Sequence, residues 1–188
     1  MDFELEIDPA LAAAVLEIEK HHADAGWDQP ARLYALVDTS RLVAHEPALA
    51  SALGLDEPRE RGSLTPIEQD ALDAGQELEE LLPSISWPDG VVGCAAVVER
   101  LVLPPAADGQ IPDDPAEAVE FAREHPDRQE VRIVAGVTRH AASYCAVRLR
   151  AHDEDASVMG GPDLVPSLLA LLRATLEDES DESGETTQ

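Results

Sequence analysis

Four residues in the C-terminal half carry side chains that suit the binding of an anion: Arg132, Arg148, Arg150 and His152. Their spacing places them together. Glu130 to Thr138 and Tyr144 to His152 each alternate apolar and polar residues. Period two is the mark of a half-buried strand. The two segments read as a hairpin around Arg139 to Ala142. One face holds Val131, Ile133, Ala135 and Val137, matched by Cys145, Val147, Leu149 and Ala151. If that face lines the core, Ile133 pairs with an odd-numbered residue such as Val147, because a one-residue slip would turn every side chain over. Arg132 then lies opposite Arg148, and Glu130 opposite Arg150, with His152 on the same polar face. Two facing guanidiniums repel unless negative charge lies between them. A ligand carboxylate or phosphate would supply it, gripped by the planar fork of each arginine. Asp and Glu side chains of covering helices would supply it equally well. With 39 acidic residues in the chain the second source is the simpler.

The other clusters are weaker. Asp153, Glu154 and Asp155 offer oxygens and His152 an imidazole, but the run has neither the calcium-loop pattern nor a zinc spacing. A polar turn after a strand looks the same. Gly160-Gly161-Pro162-Asp163 leads into a helix whose first N–H groups suit an anion, yet Asp163 as helix cap would occupy that position. There is no phosphate-binding Lys-Ser or Lys-Thr after a glycine loop, and no dinucleotide glycine motif. His21, His22, His125 and His140 lack partners at ligand spacing. Cys94 and Cys145 sit in apolar runs outside any CxxC pair, so they read as buried free thiols. Ser157 has Asp155 and His152 close by in sequence, but catalytic triads usually assemble from distant segments. No catalytic residue, metal ligand or cofactor is assigned, and the sequence leans away from an enzyme. Trp27 and Trp87 read as lids on the core edge.

The elements that position these residues can be read in order. Asp8-Pro9 opens a helix with an apolar stripe of Leu11, Ala14, Val15, Ile18 and His22, and Gly26 stops it. Leu33 to Val37 is a strand. A helical stretch from about Thr39 to Leu53 is broken by Pro47, and Asp56 to Gly62 is an exposed loop. Thr65-Pro66-Ile67-Glu68 has the form of a capping box, which predicts a short helix after it. A second helical piece runs from Glu77 to Leu82. Trp87-Pro88-Asp89-Gly90 makes a turn into a long strand, Val91 to Leu103. A helix over about Pro115 to His125 precedes the hairpin. The last helix begins near Asp163 and ends near Leu176, with Leu164, Leu168, Leu172 and Leu176 on one face and Leu171 off it, where a homodimer would bury it. This order predicts an α+β fold: a single domain over 1–176 with a largely antiparallel sheet of about four strands flanked by helices. In the segment 177–188 six of twelve residues are acidic and none is strongly apolar, so it is predicted to be a disordered tail.

Charge narrows the partners. The chain has 39 acidic against 13 basic side chains, a net charge of −26. That field repels nucleic acid and anionic membranes and favours a basic protein partner. No apolar run is long enough to span a membrane, and Met1 to Asp8 carries four acids and no basic residue, unlike a secretory signal. A cytoplasmic location is expected.

Five blocks together resemble a known family. They are Gly26-Trp27-Asp28-Gln29-Pro30 with Leu33 to Val37, Leu64 to Gln69, His125 to Arg132, Leu149 to Asp153, and Gly161 to Pro166. The chain is similar over most of its length to an uncharacterised family of conserved hypothetical proteins from actinobacteria. The resemblance implies a GC-rich bacterial source and a cytosolic setting, and brings no catalytic role to any residue. Two functions follow from the residues. One is a non-catalytic binding or accessory protein acting through protein–protein contact. The other is a small-molecule anion sensor or enzyme using the arginine-rich sheet face.

Overall fold

The computed structural model describes residues 7–55, 59–70, 72–73 and 76–177. The tail beyond Glu177 and part of the loop after Leu55 lie outside them. Helix α1 spans Pro9–Ala25. The Asp8 carboxylate caps it, accepting from Ala10 N at 2.9 Å and Leu11 N at 3.1 Å. Gly26 ends it at φ 95°, a left-handed conformation that favours glycine. Strand β1 follows (Arg32–Asp38), then α2 (Thr39–His45) and α3 (Pro47–Ala52), split at Pro47 as the sequence indicates.

The sheet is antiparallel, but it has six strands rather than about four. Its order is β2-β1-β3-β4-β5-β6, with β2 Leu64–Glu68, β3 Val91–Val102, β4 Gln129–Thr138, β5 Ser143–Leu149 and β6 Met159–Gly161. Both added strands are edges. β2 is the segment that reads as a capping box. Thr65 is instead buried, its Oγ1 2.8 Å from Thr39 Oγ1, and Glu68 pairs with Arg32 at 3.2 Å. A capping box is worth about 1 kcal/mol; five residues of strand pairing to β1 outweigh it. Pro66 is tolerated because an edge strand leaves one side unpaired.

The sheet is covered on both faces. On one, α6 (Pro166–Leu176) lays Leu168, Leu169, Leu172 and Leu176 over Ala96, Val98, Ile133, Ala135 and Val137. The short helix α4 (Leu78–Leu81) and Leu82 join this layer, as does Trp87, whose indole N–H donates to Thr175 Oγ1 at 3.0 Å. Leu171 is half-buried against the same layer. On the other face, α1 lays Leu11, Ala14, Val15 and Ile18 over Tyr34, Leu36, Ala95, Val97, Val134 and Ala146. Each such leucine or isoleucine contributes roughly 2 kcal/mol by leaving water. Both cysteines are free and buried, and burial pushes the Cys94 thiol up to about 11.

Two boundaries differ from the sequence reading. The last helix starts at Pro166, with Val165 as its cap residue and Asp163 exposed outside it. A residue before proline is pushed out of helical conformation; Val165 has φ −137° and ψ 69°. Proline therefore takes the first helical position. The second hairpin strand ends at Leu149, where the chain turns and His152 bridges back to Leu149. Helix α5 (Pro115–Glu124) forms as expected, capped by Asp114, but none of its residues is buried. Among the described residues no helix is long and apolar enough to cross a membrane.

Gly136 on β4 lets α1 lie close to the sheet. A Cβ there would come within 2.7 Å of Val15 Cγ2 and 3.1 Å of Leu11 Cδ1. Gly136→Val is expected to destabilise the protein by about 1–3 kcal/mol through overpacking, measured by urea unfolding; an unchanged midpoint would mean that α1 does not seat there.

Candidate functional site

The hairpin register is the one read from the sequence. Ile133 faces Val147, and Arg132 faces Arg148. Arg150 donates its backbone N–H to Glu130 O at 2.9 Å, which keeps these two residues across from each other. The arginine face is closed to solvent at Arg132 and Arg148 and open at Arg150 and His152. The C-terminal half of α1 and the loop that follows it lie over the closed part.

The three arginines differ in their surroundings. Arg148 is 1% exposed and fully occupied. Its Nε and Nη2 bind the Glu19 carboxylate at 2.5 and 3.1 Å, Nη1 reaches Asp153 at 3.2 Å, and Nη2 reaches Asp155 at 2.8 Å. Glu19 is itself buried on α1. Arg150 is half-exposed and holds Asp28 through two bonds of 2.9 and 3.0 Å, and Glu130 at 2.8 Å. Its guanidinium holds the Asp28 carboxyl below the usual range. Arg132 is 0% exposed. Its Nη2 donates to Glu99 Oε1 at 2.9 Å and to Gly26 O, and the Trp27 ring stacks over it with its centroid 4.4 Å away. Its Nε and Nη1 are buried without a hydrogen-bond partner. His152 is exposed and does not join the three.

The loop 26–29 holds this arrangement closed. Trp27 Nε1 donates to Asp153 Oδ2 at 3.0 Å, and Asp28 N donates to Glu99 Oε2 at 2.8 Å. Trp27 is thus a lid over Arg132 rather than over the apolar clusters, while Trp87 packs into one of them. Glu19, Glu99 and Asp28 are the counter-charges that the sequence reading left unassigned. One signal for Glu19 was present: it follows Val15 by four residues on the apolar stripe. Glu99 and Asp28 come from other segments, and no local pattern marks them.

Beside the arginines, His22 is buried in a relay. Its Nδ1 lies 2.9 Å from Gln29 Oε1 and its Nε2 2.8 Å from the Tyr34 hydroxyl, which is 3.2 Å from Glu68 Oε2. Burial lowers the His22 pKa, and the nearby Arg132 and His21 act in the same direction. Among the described residues no group of three or more His, Cys, Asp or Glu side chains is arranged to hold a metal.

A third region carries exposed apolar surface. Leu101, Val102 and Leu103 at the end of β3, with Ile111, Ala118, Val119 and Ala122, line a cleft of about 610 Å³. Val119 is 51% exposed, Val102 42% and Ile111 39%. Ala118, Val119 and Ala122 share one face of a helix at spacings of three and four, a pattern that does not by itself tell a buried face from an exposed one.

Two predictions follow from the charges. Removing one partner of a buried ion pair leaves the other uncompensated, so Glu19→Ala is expected to cost about 3 kcal/mol in chemical unfolding. The exposed Asp155→Ala should cost below about 1 kcal/mol. Equal effects would show that Arg148 does not depend on Glu19. For His22, a folded pKa below the unfolded value near 6.5 means that the unfolded chain binds more protons. Its contribution is complete above that value and is lost as pH falls through the lower folded one. Urea unfolding at pH 7.5 and 5.5 should therefore show a loss of stability that His22→Gln reduces. A loss of the same size in the variant would remove His22 as its source.

Comparison with curated proteins finds no match, and comparison with solved structures finds none. The family model of the PPA1309-like proteins matches residues 11–177, the span from the first core residue of α1 to the residue that follows α6. The chain belongs to the PPA1309-like protein family.

Proposed function

We propose that this protein is a non-catalytic, cytoplasmic binding protein that acts through protein–protein contact, and that a basic amphipathic segment of its partner docks in the cleft between α5 and the end of β3. The observation that carries this reading is α5 itself. A helix normally buries its apolar face. This one buries no residue, and its Ala118, Val119 and Ala122 line a cleft with Leu101, Val102, Leu103 and Ile111. Exposed apolar surface bordered by charge is the usual form of a docking site.

Charge complementarity identifies the partner. The segment 108–124 carries six carboxylates, Asp108, Asp113, Asp114, Glu117, Glu120 and Glu124, against Arg123 alone. Asp108 and Arg123 lie in the wall of the cleft, and the other five carboxylates stand outside its lining. A helix with leucine-like anchors and lysine or arginine on its flanks matches both features. The chain's overall charge of −26 would draw such a segment in from a distance. The two buried free thiols support a reducing, cytoplasmic setting.

The probe for this reading is a short helical Leu–Lys peptide with leucines three and four residues apart. It is expected to bind and to shift the methyl resonances of Val102 and Val119. Val119→Asp should weaken binding about tenfold, or 1.4 kcal/mol. Equal binding by a scrambled peptide of the same charge, or by the Val119→Asp protein, would sink the proposal.

A further inference from the structure

We propose that the small cleft beside Trp27 is a binding site for a small carboxylate, which takes the place of Asp28 on Arg150. This site adjoins the docking cleft, sharing Leu101 and Arg123 with it, but Val119 has no part in it.

The cleft has a volume of about 250 Å³. Trp27, Asp28, Glu99, Leu101, Glu130 and Arg150 are among its walls. Arg132 lies directly behind two of them, stacked under Trp27 and bonded to Glu99. Among the described residues it is the hairpin arginine whose buried donors lack partners. Its Nε and Nη1 have no partner, although the side chain is 0% exposed. A buried guanidinium with free N–H groups lacks acceptors that water or a ligand oxygen would supply. Arg148, by contrast, spreads its bonds over Glu19, Asp153 and Asp155 and has no capacity left for a ligand.

The local charge permits an anion despite the acidity of the chain. The carboxylates in the wall are Asp28, Glu99 and Glu130, and the guanidiniums are Arg100, Arg123 and Arg150. They balance, and behind them Arg132 is matched by Glu79, 2.5 Å from Arg100, so the site is neutral in a strongly acidic chain. Arg123 has no ion pair among the described residues. At physiological salt the remaining acidic surface is screened beyond about 8 Å.

Asp28 marks the position of the ligand. Its carboxylate grips Arg150 through two bonds, as a free carboxylate would. The side chain is 75% exposed, so the pair is held in water and exchanges at little cost. The body of the ligand would lie against Trp27 and Leu101. A flat apolar group on the carboxylate fits that wall and the small volume. The class is therefore a small aromatic or compact monocarboxylate.

Benzoate is the probe, and the indole N–H resonance of Trp27 is the readout; Trp27 and Trp87 are the two tryptophans of the chain. Benzoate should shift the Trp27 signal saturably and leave the Trp87 signal in place. Arg150→Gln should weaken binding about tenfold. Asp28→Asn, which removes the resident competitor, should tighten it severalfold. Both positions are exposed enough to be changed without unfolding the protein, unlike Arg132. Val119→Asp should have no effect, so failure here is distinguishable from failure of the docking cleft. Absence of binding overturns the proposal. So does binding that Arg150→Gln leaves unchanged, binding that Asp28→Asn fails to tighten, or an equal response to inorganic phosphate or benzylammonium.

Discussion

Two guanidiniums are buried side by side under α1, and most of the fold answers to them. Arg132 and Arg148 face each other across the β4–β5 hairpin. Like charges in that position repel, and burial removes the water that would screen them. Four separate segments supply the opposing charge or dipole. Glu19 comes from α1 and Glu99 from β3. Asp153 and Asp155 come from the loop after β5, and the Gly26 carbonyl and the Trp27 ring from the loop after α1. The pair therefore ties the end of α1 to both halves of the sheet. An apolar contact of the same area would hold α1 down as well, but it would not specify its direction.

That requirement divides α1 into two parts. Its first half is bound by shape: Leu11 and Val15 sit over Gly136, where a side chain would obstruct them. Its second half is bound by charge and hydrogen bonds, through Glu19 and through His22 between Gln29 and Tyr34. The opposite face of the sheet has no such division. There α6 packs leucine onto valine and alanine, and Arg139 of the hairpin turn caps its last carbonyl, Leu176 O, at 2.6 Å. Helix α5 belongs to neither layer. It stands at the end of β3 with its apolar side turned to a cleft, and it is this asymmetry that supports the docking proposal.

Much of the fold was legible in the residues. The row of Val131, Ile133, Ala135 and Val137, broken by Arg132, set the strand and its register, because one slip would have turned Arg132 under α6 and the whole row onto the arginine side. The cap at Asp8, whose hydrogen bonds are local, was legible; the one read at Asp163 fails because α6 starts at Pro166. Capping patterns also misled where a longer-range bond competes. Thr65 and Glu68 have capping-box spacing, but Thr39, Arg32 and Tyr34 offer them partners from other elements. The three-residue β6 carries too little pattern to be seen at all, since two of its residues are glycine.

The sequence by itself determined the class of the fold, the positions of the long elements and the fact that Arg132 must face Arg148. These follow from periodicity and local hydrogen bonding, which act over a few residues. Only the tertiary structure decided what neutralises that pair. Glu19 lies 129 residues from Arg148, and Asp28 lies 122 from Arg150. Charge pairing depends on distance in space, and no spacing along the chain encodes it. The same holds for the two unpartnered nitrogens of Arg132. Which of its nitrogens meet an acceptor depends on where Glu99 and Gly26 come to lie around it in the fold.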